Sequence, residues 1–92
     1  MYLEIVSPEA TLFAGEVTSV TVPGINGEFQ MLKDHAPIVS LLQEGKVKVA
    51  GNITLDKEYA SKFTKDAAGN TVLQISSGTI ELKNNKVIVL AD

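Results

Sequence analysis

The chain has no cysteine and no tryptophan, and its eight basic residues are all lysines. Without cysteine there is no disulfide framework, no thiolate metal site and no Cys nucleophile, a composition that fits a reducing compartment. Without arginine the usual bidentate clamp for phosphates is missing. The lysines are scattered and the net charge is −3. A nucleic-acid partner needs a concentrated basic footprint, so none is expected. The longest apolar run, Val87 to Ala91, is far too short to span a bilayer. Any membrane link is therefore expected to come through a partner. The opening stretch, Met1 to Pro8, carries Glu4 and no basic residue, so it does not read as a signal peptide.

Ninety-two residues leave room for one core, and one domain over 1–92 is expected. A chain of this size buries about 60–65% of the surface its unfolded form exposes. The usual per-residue range gives a stability of about 5–14 kcal/mol.

What is present is alternation with a period of two. Leu3 and Ile5 share a face in Tyr2–Val6, and Val20 and Val22 share one in Ser19–Val22. Lys46–Val49 and Thr79–Lys83 alternate in the same way. Apolar residues on one pleat face and polar residues on the other mark half-buried antiparallel strands. Further strands are expected at Ala10–Phe13, Glu28–Leu32, Ile38–Leu42, Thr71–Ile75 and Lys86–Leu90. Turn residues punctuate these runs. Asn26-Gly27 and Asn84-Asn85 tolerate positive φ and predict tight hairpins. Pro8, Pro23 and Pro37 are expected at strand boundaries, and Gly15 at a bulge or bend of the second strand. About nine short strands predict an all-β fold, a sandwich or barrel. In Asp56–Asn70 the pattern changes: Leu55, Tyr59 and Phe63 stand at i, i+4 and i+8. That spacing suits a short helix, and the charge of the segment suits a long hairpin loop equally well.

Signals for chemistry are few. His35 is the sole histidine. It follows Asp34, but neighbours in a strand-rich loop point apart, and no nucleophile is spaced to complete a triad. It reads as a loop histidine that packs or hydrogen-bonds. One His, no Cys and dispersed carboxylates give no metal-ligand spacing. Gly45-Lys46 lacks the rest of a phosphate loop: Ser40 stands where its first Gly is needed, and Val47 where Ser or Thr is needed. No catalytic, cofactor-binding or metal residue is expected. The stretch Val22–Glu28 is different, because its turn carries the apolar Ile25 beside the charged Glu28. An apolar residue at a loop tip suits a contact surface.

These residues also carry a resemblance. Ile5–Glu9, Leu12–Val17, Val20–Gly24 with Gly27-Glu28-Phe29, and His35–Leu42 running on to Gly45 follow one another in the order and spacing of a known family. So do Ser77–Leu82 and Asn85–Asp92. Together they make the chain resemble the epsilon subunit of F-type ATP synthases, from Ile5 to Asp92. The resemblance implies a flattened antiparallel β-sandwich, the N-terminal domain of that subunit. It implies a non-catalytic rotor part of the central stalk, set between the gamma subunit and the membrane c-ring and coupling ion flow to ATP synthesis. It implies a peripheral place on the cytoplasmic face of a bacterial inner membrane. On the family pattern Ile25, Asn26, Gly27 and Glu28 meet the c-ring, with His35, Ala36 and Pro37 nearby. Gamma is expected on one sheet face.

There are departures. The family commonly has Gly at the place of Gln30 and Pro-Gly at the place of Lys33-Asp34, so a differently shaped ring-facing loop is expected. Asp56–Asn70 reads as an insertion into a usually shorter hairpin. Longer relatives continue into a C-terminal helical hairpin that inhibits ATP hydrolysis or, in some species, binds ATP. This sequence runs to Asp92, and neither inhibition nor ATP binding by that route is expected of it. The alternative reading is a stand-alone β-sandwich module that takes a protein or ligand on an open edge.

Overall fold

The computed structural model describes all residues, Met1–Asp92. Ten strands follow in order: β1 (Tyr2–Val6), β2 (Thr11–Glu16), β3 (Ser19–Gly24), β4 (Gly27–Met31), β5 (Ile38–Leu42), β6 (Gly45–Ala50), β7 (Phe63–Lys65), β8 (Thr71–Ile75), β9 (Gly78–Lys83) and β10 (Lys86–Ala91). They lie in the order β2-β1-β10-β9-β5-β3-β6-β8-β7, with β4 on the free edge of β3. The path curls so that β2-β1-β10-β9-β5 forms one layer and β4-β3-β6-β8-β7 the other. The layers are joined where Gly24 of β3 pairs with Leu42 of β5. Inward-facing residues of both layers form one continuous cluster of nineteen buried side chains, with Leu3, Ile5, Val20, Val22, Met31, Val47, Val87 and Val89 wholly buried. Each such side chain contributes roughly 1.5–3 kcal/mol of apolar burial. The predicted alternation therefore holds: the residues expected on the inner faces are the core.

Four details differ from expectation. First, β1 and β10 pair in parallel, Leu3 beside Val87 and Ile5 beside Val89. Alternation says which face a residue takes, not which way the neighbouring strand runs. Second, β2 continues through Gly15, which pairs with Leu3. The irregularity falls at Leu12 instead, where the register steps from Phe13 to Thr11. That extra residue lets Leu12 and Phe13, adjacent in sequence, both face the core. A Cβ at Gly15 would stand 3.2 Å from the Phe13 ring, which lies over it.

Third, Pro23 lies inside β3 rather than at its end. Its carbonyl accepts the Gln43 N–H at 2.9 Å. Nitrogen and carbonyl of one strand residue point to the same edge, so the missing N–H faces the gap where β6 and β5 part and no ladder bond is lost.

Fourth, Asp56–Asn70 is neither an α-helix nor a bare loop. It holds one 3₁₀ turn, Ala60–Lys62, and then β7, whose Phe63 pairs with Leu73. Leu55 and Tyr59 pack against the core, where Phe63 is buried, so the three residues do converge. Asp66 closes the return to β8 by accepting the Ala68 N–H, the Asn70 N–H and the Asn70 side-chain amide at 2.9–3.0 Å.

Candidate functional site

The β3–β4 hairpin carries four of the expected contact residues, Ile25 to Glu28. Its two turn residues are Ile25 and Asn26, with Gly24 opposite Gly27. Asn26-Gly27 was expected to fill the turn. Neither Ile25 nor Asn26 has positive φ, and the positive value, +122°, falls on Gly27 as β4 begins. Gly24 is held close: a Cβ there would stand 2.8 Å from both the Gly27 carbonyl and the Phe29 ring. Ile25, Asn26, Gly27 and Glu28 are all exposed.

The tip sits on the seam between layers, and its two sides differ. Ile25 turns toward the first layer, its N–H donating to the Leu41 carbonyl at 3.3 Å. Pairing across that layer sets Val6 beside Leu90, Leu90 beside Thr79 and Thr79 beside Leu41. Paired residues share a face, so this row runs outward-facing from β1 to the tip. The next row places Ile88 and Val39 on either side of Glu81. Ile25, Val39, Leu41 and Leu90 are 52, 75, 59 and 51% exposed. A hollow of about 650 Å³ opens here, with Val6, Pro8, Ile25, Leu41, Leu90 and Ala91 among its walls. It is the largest apolar opening on the molecule.

Glu28 turns the other way. Its carboxylate lies 3.5 Å from Lys48 Nζ. The outer face of the second layer exposes polar residues: Gln30, Thr21, Lys48, the buried Val72 and Thr64 lie along one row and Lys46 and Gln74 along another. A partner thus meets an apolar surface on one side of the hairpin and a lysine-bearing surface on the other.

The remaining expected residues lie in the loop between β4 and β5. His35, Ala36 and Pro37 are exposed, but β5 meets the hairpin through Leu42, the strand end remote from Pro37. At roughly 3.3 Å per residue, the two ends of β5 are about 13 Å apart. Asn26, Gly27 and Glu28 share a hollow of about 290 Å³ with Ile38 and Ser40, so Pro37, just before Ile38, adjoins it. His35 is tied elsewhere. Its N–H donates to the Leu32 carbonyl at 3.2 Å, and its Nδ1 lies 2.7 Å from the Ala36 carbonyl. Because a carbonyl only accepts, this contact puts the proton on Nδ1.

A reciprocal pair anchors the loop: the Asp34 N–H donates to Asn85 Oδ1 at 2.7 Å, and Asn85 Nδ2 donates to Asp34 Oδ1 at 2.9 Å. Asp34, Asn84 and Asn85 all have φ between +52° and +63°. The Asn84-Asn85 hairpin is as expected; its bond to Asp34 is not legible in sequence. Asp34 is thereby turned toward Asn85 rather than toward the His35 ring, and a general-base role for that ring finds no support. The pKa of Asp66 is lowered, first by the hydrogen bonds from Asn70, and that of Tyr59 is raised, first by burial and then by Glu58.

Residues missed in sequence are Leu41, Leu90 and Val39. Each is an outward position in an alternating strand, where a polar residue is the ordinary occupant. An apolar residue there is the signal that was available.

Comparison with known proteins follows the same line. The family model described as ATP synthase, Delta/Epsilon chain, beta-sandwich domain matches residues 1–92. The ATP synthase epsilon chain of Chlorobaculum tepidum is 38% identical over 90 residues, covering 98% of this chain and 86% of that protein. The epsilon chain of Desulforamulus reducens is 37% identical, and there the chain spans 57% of the relative's length. Among solved structures, the central stalk and c-ring assembly of Tetrahymena thermophila mitochondrial ATP synthase contains a chain that superposes with a TM-score of 0.72 at 12% identity. The match covers 99% of this chain and 62% of that one. A chain of the Euglena gracilis mitochondrial ATP synthase gives 0.71 at 18% identity, with 97% and 48% covered. At these identities the structures speak for the fold.

Proposed function

The chain belongs to the ATP synthase delta/epsilon family of β-sandwich domains, and from that membership we propose that it serves as an epsilon chain, a non-catalytic coupling part of the central stalk. It joins the gamma subunit to the c-ring and so transmits torque between ion flow and the catalytic head. It is peripheral to the membrane, and no helix is long and apolar enough to cross one.

The observation that carries this reading is an exposed apolar row at the seam end of the first layer's outer face, which has no counterpart on the second layer. The row Val6, Leu90, Thr79 and Leu41, ending at Ile25, leaves apolar side chains half exposed there, while Glu4, Lys83 and Lys86 lie farther along the same face. Contiguous exposed apolar surface on a small soluble protein marks a protein contact. Gamma takes this face in the proposal. The tip residues Ile25, Asn26, Gly27 and Glu28 meet the polar loops of the ring in the proposal, Ile25 standing where the apolar row ends. His35, Ala36 and Pro37 flank that contact from the far end of β5. A joint that survives turnover is expected to bury about 1,200–2,000 Å², so the hollow and both rows around it are needed.

Reconstitution tests the proposal. Membranes whose ATP synthase lacks this subunit are supplied with the chain, and ATP-driven proton pumping is read by a fluorescent pH probe. Wild-type chain is expected to restore pumping. Leu41→Asp with Leu90→Asp, both outward positions, is expected to fold and fail. Equal restoration by the double variant would remove the apolar face from the gamma joint. The stand-alone module reading would use the same hollow for a ligand. It would leave pumping unrestored by any version.

A further inference from the structure

The β3–β4 tip holds the one Asn-Gly pair in the chain; Asn52, Asn70, Asn84 and Asn85 are followed by Ile53, Thr71, Asn85 and Lys86. We propose that Asn26 is a site of spontaneous deamidation, a chemical modification that places an acid or an isoaspartyl linkage in the turn. This goes beyond the coupling role and does not depend on it.

The chemistry needs the backbone nitrogen of Gly27 to reach Cγ of Asn26. A new N–Cγ bond forms, the Cγ–Nδ2 bond breaks, and the amide leaves as ammonia, giving a five-membered succinimide. Water then opens the ring at either carbonyl, giving aspartate or isoaspartate. No oxidant or cofactor takes part. Asparagine is a thermolabile residue, and the group that follows it governs how readily its neighbour's nitrogen can approach.

Local structure favours position 26 over the others. Asn26 and Gly27 are exposed. Nothing lies within 4 Å of the place where a Gly27 Cβ would be, so Gly27 is unshielded on its side-chain side. Three of the other four asparagines are hindered, and Asn84 is followed by Asn85, which carries a side chain where Gly27 has none. Ile53 and Thr71 are β-branched and shield their own nitrogens. The Asn70 amide donates to Asp66 Oδ2 at 3.0 Å, and both polar atoms of the Asn85 side chain are engaged by Asp34. Hydrolysis would add a carboxylate two residues from Glu28. The isoaspartyl product would also lengthen the main chain inside a two-residue turn whose ends are fixed by the Gly24–Gly27 pairing.

Trypsin separates the candidates. Cleavage after lysine leaves Asn26 alone in Met1–Lys33, Asn52 in Val49–Lys57, Asn70 in Asp66–Lys83, and Asn84 and Asn85 in Asn84–Lys86. The folded full chain is held in mildly alkaline buffer, sampled over days, digested and weighed by mass spectrometry. Met1–Lys33 is expected to gain the mass difference between an amide and an acid first, in two chromatographic peaks of equal mass, the aspartyl and isoaspartyl forms. The change should disappear in Asn26→Gln, a variant that keeps the amide and cannot close the same ring readily. Retention of the original mass by Met1–Lys33, or an earlier change in any other peptide, would overturn the proposal.

Discussion

Glu28 is the one charged group at the hairpin tip, and its nearest partner is Lys48 on β6. The pair is well exposed, and ion pairs of that kind contribute about 0–1 kcal/mol. Glu28→Lys is therefore expected to leave the domain folded, with a stability change of no more than about 1 kcal/mol. It should nevertheless weaken coupling, because it sets two lysines side by side where a ring loop is proposed to dock. Proton pumping and thermal unfolding measured on the same variant separate the two effects. Wild-type pumping would remove Glu28 from the ring contact. Asp66 contributes stability of another kind. Hydrogen bonds from Asn70 and Ala68 lower its folded pKa below the ordinary value. A group lowered in this way stabilises the fold above its unfolded pKa and loses that contribution as pH falls through the folded value. The melting temperature of Asp66→Ala is expected to lie below wild type at neutral pH, with the gap closing in acid. A gap independent of pH would contradict the assignment.

The β9–β10 hairpin is the element on which the β4–β5 loop leans. Asn85 supplies both a left-handed turn residue and both side-chain contacts to Asp34. Asn85→Ala keeps a Cβ in the left-handed region without the polar side chain that lets asparagine tolerate it, and removes those bonds, at a cost of about 1–2 kcal/mol. Urea unfolding should show that loss, and amide exchange at Asp34 and His35 should quicken. Asn85→Gly relieves the backbone term and is expected to lie between the two. An alanine variant as stable as wild type would mean that the latch does not hold the loop. At this scale the sequence was legible wherever alternation carried the information. The nine expected strands are present with small shifts at their ends, and the inner-face residues form the core. Three features were not legible, each for a physical reason. The three-residue β7 is too short to show a period, and Leu55, Tyr59 and Phe63 meet through a 3₁₀ turn although their spacing is that of a helix. The parallel β1–β10 pairing depends on which strands meet, which a single strand's pattern does not encode. The contact region was legible at Ile25–Glu28 through its odd composition. Its apolar wall was not, because Leu41 and Leu90 become neighbours only through β9.

As a whole the molecule is a two-layered body with an exposed apolar row at the seam end of one outer face and an exposed hairpin turn beside it. Such a body suits a joint: the strands are locked by a continuous core, so force applied at the tip is carried through packed side chains to the apolar face. Nothing in this arrangement needs a reacting group, consistent with a family whose epsilon chains are non-catalytic. The central claim is that the apolar face is the gamma joint. Titration calorimetry of the chain against the ATP synthase gamma subunit of the same organism tests it most directly. Saturable one-to-one binding is expected, weakened by Leu41→Asp with Leu90→Asp and unchanged by Lys46→Glu on the opposite face. Absence of binding between the folded proteins, or loss of binding on changing the lysine face alone, would contradict it.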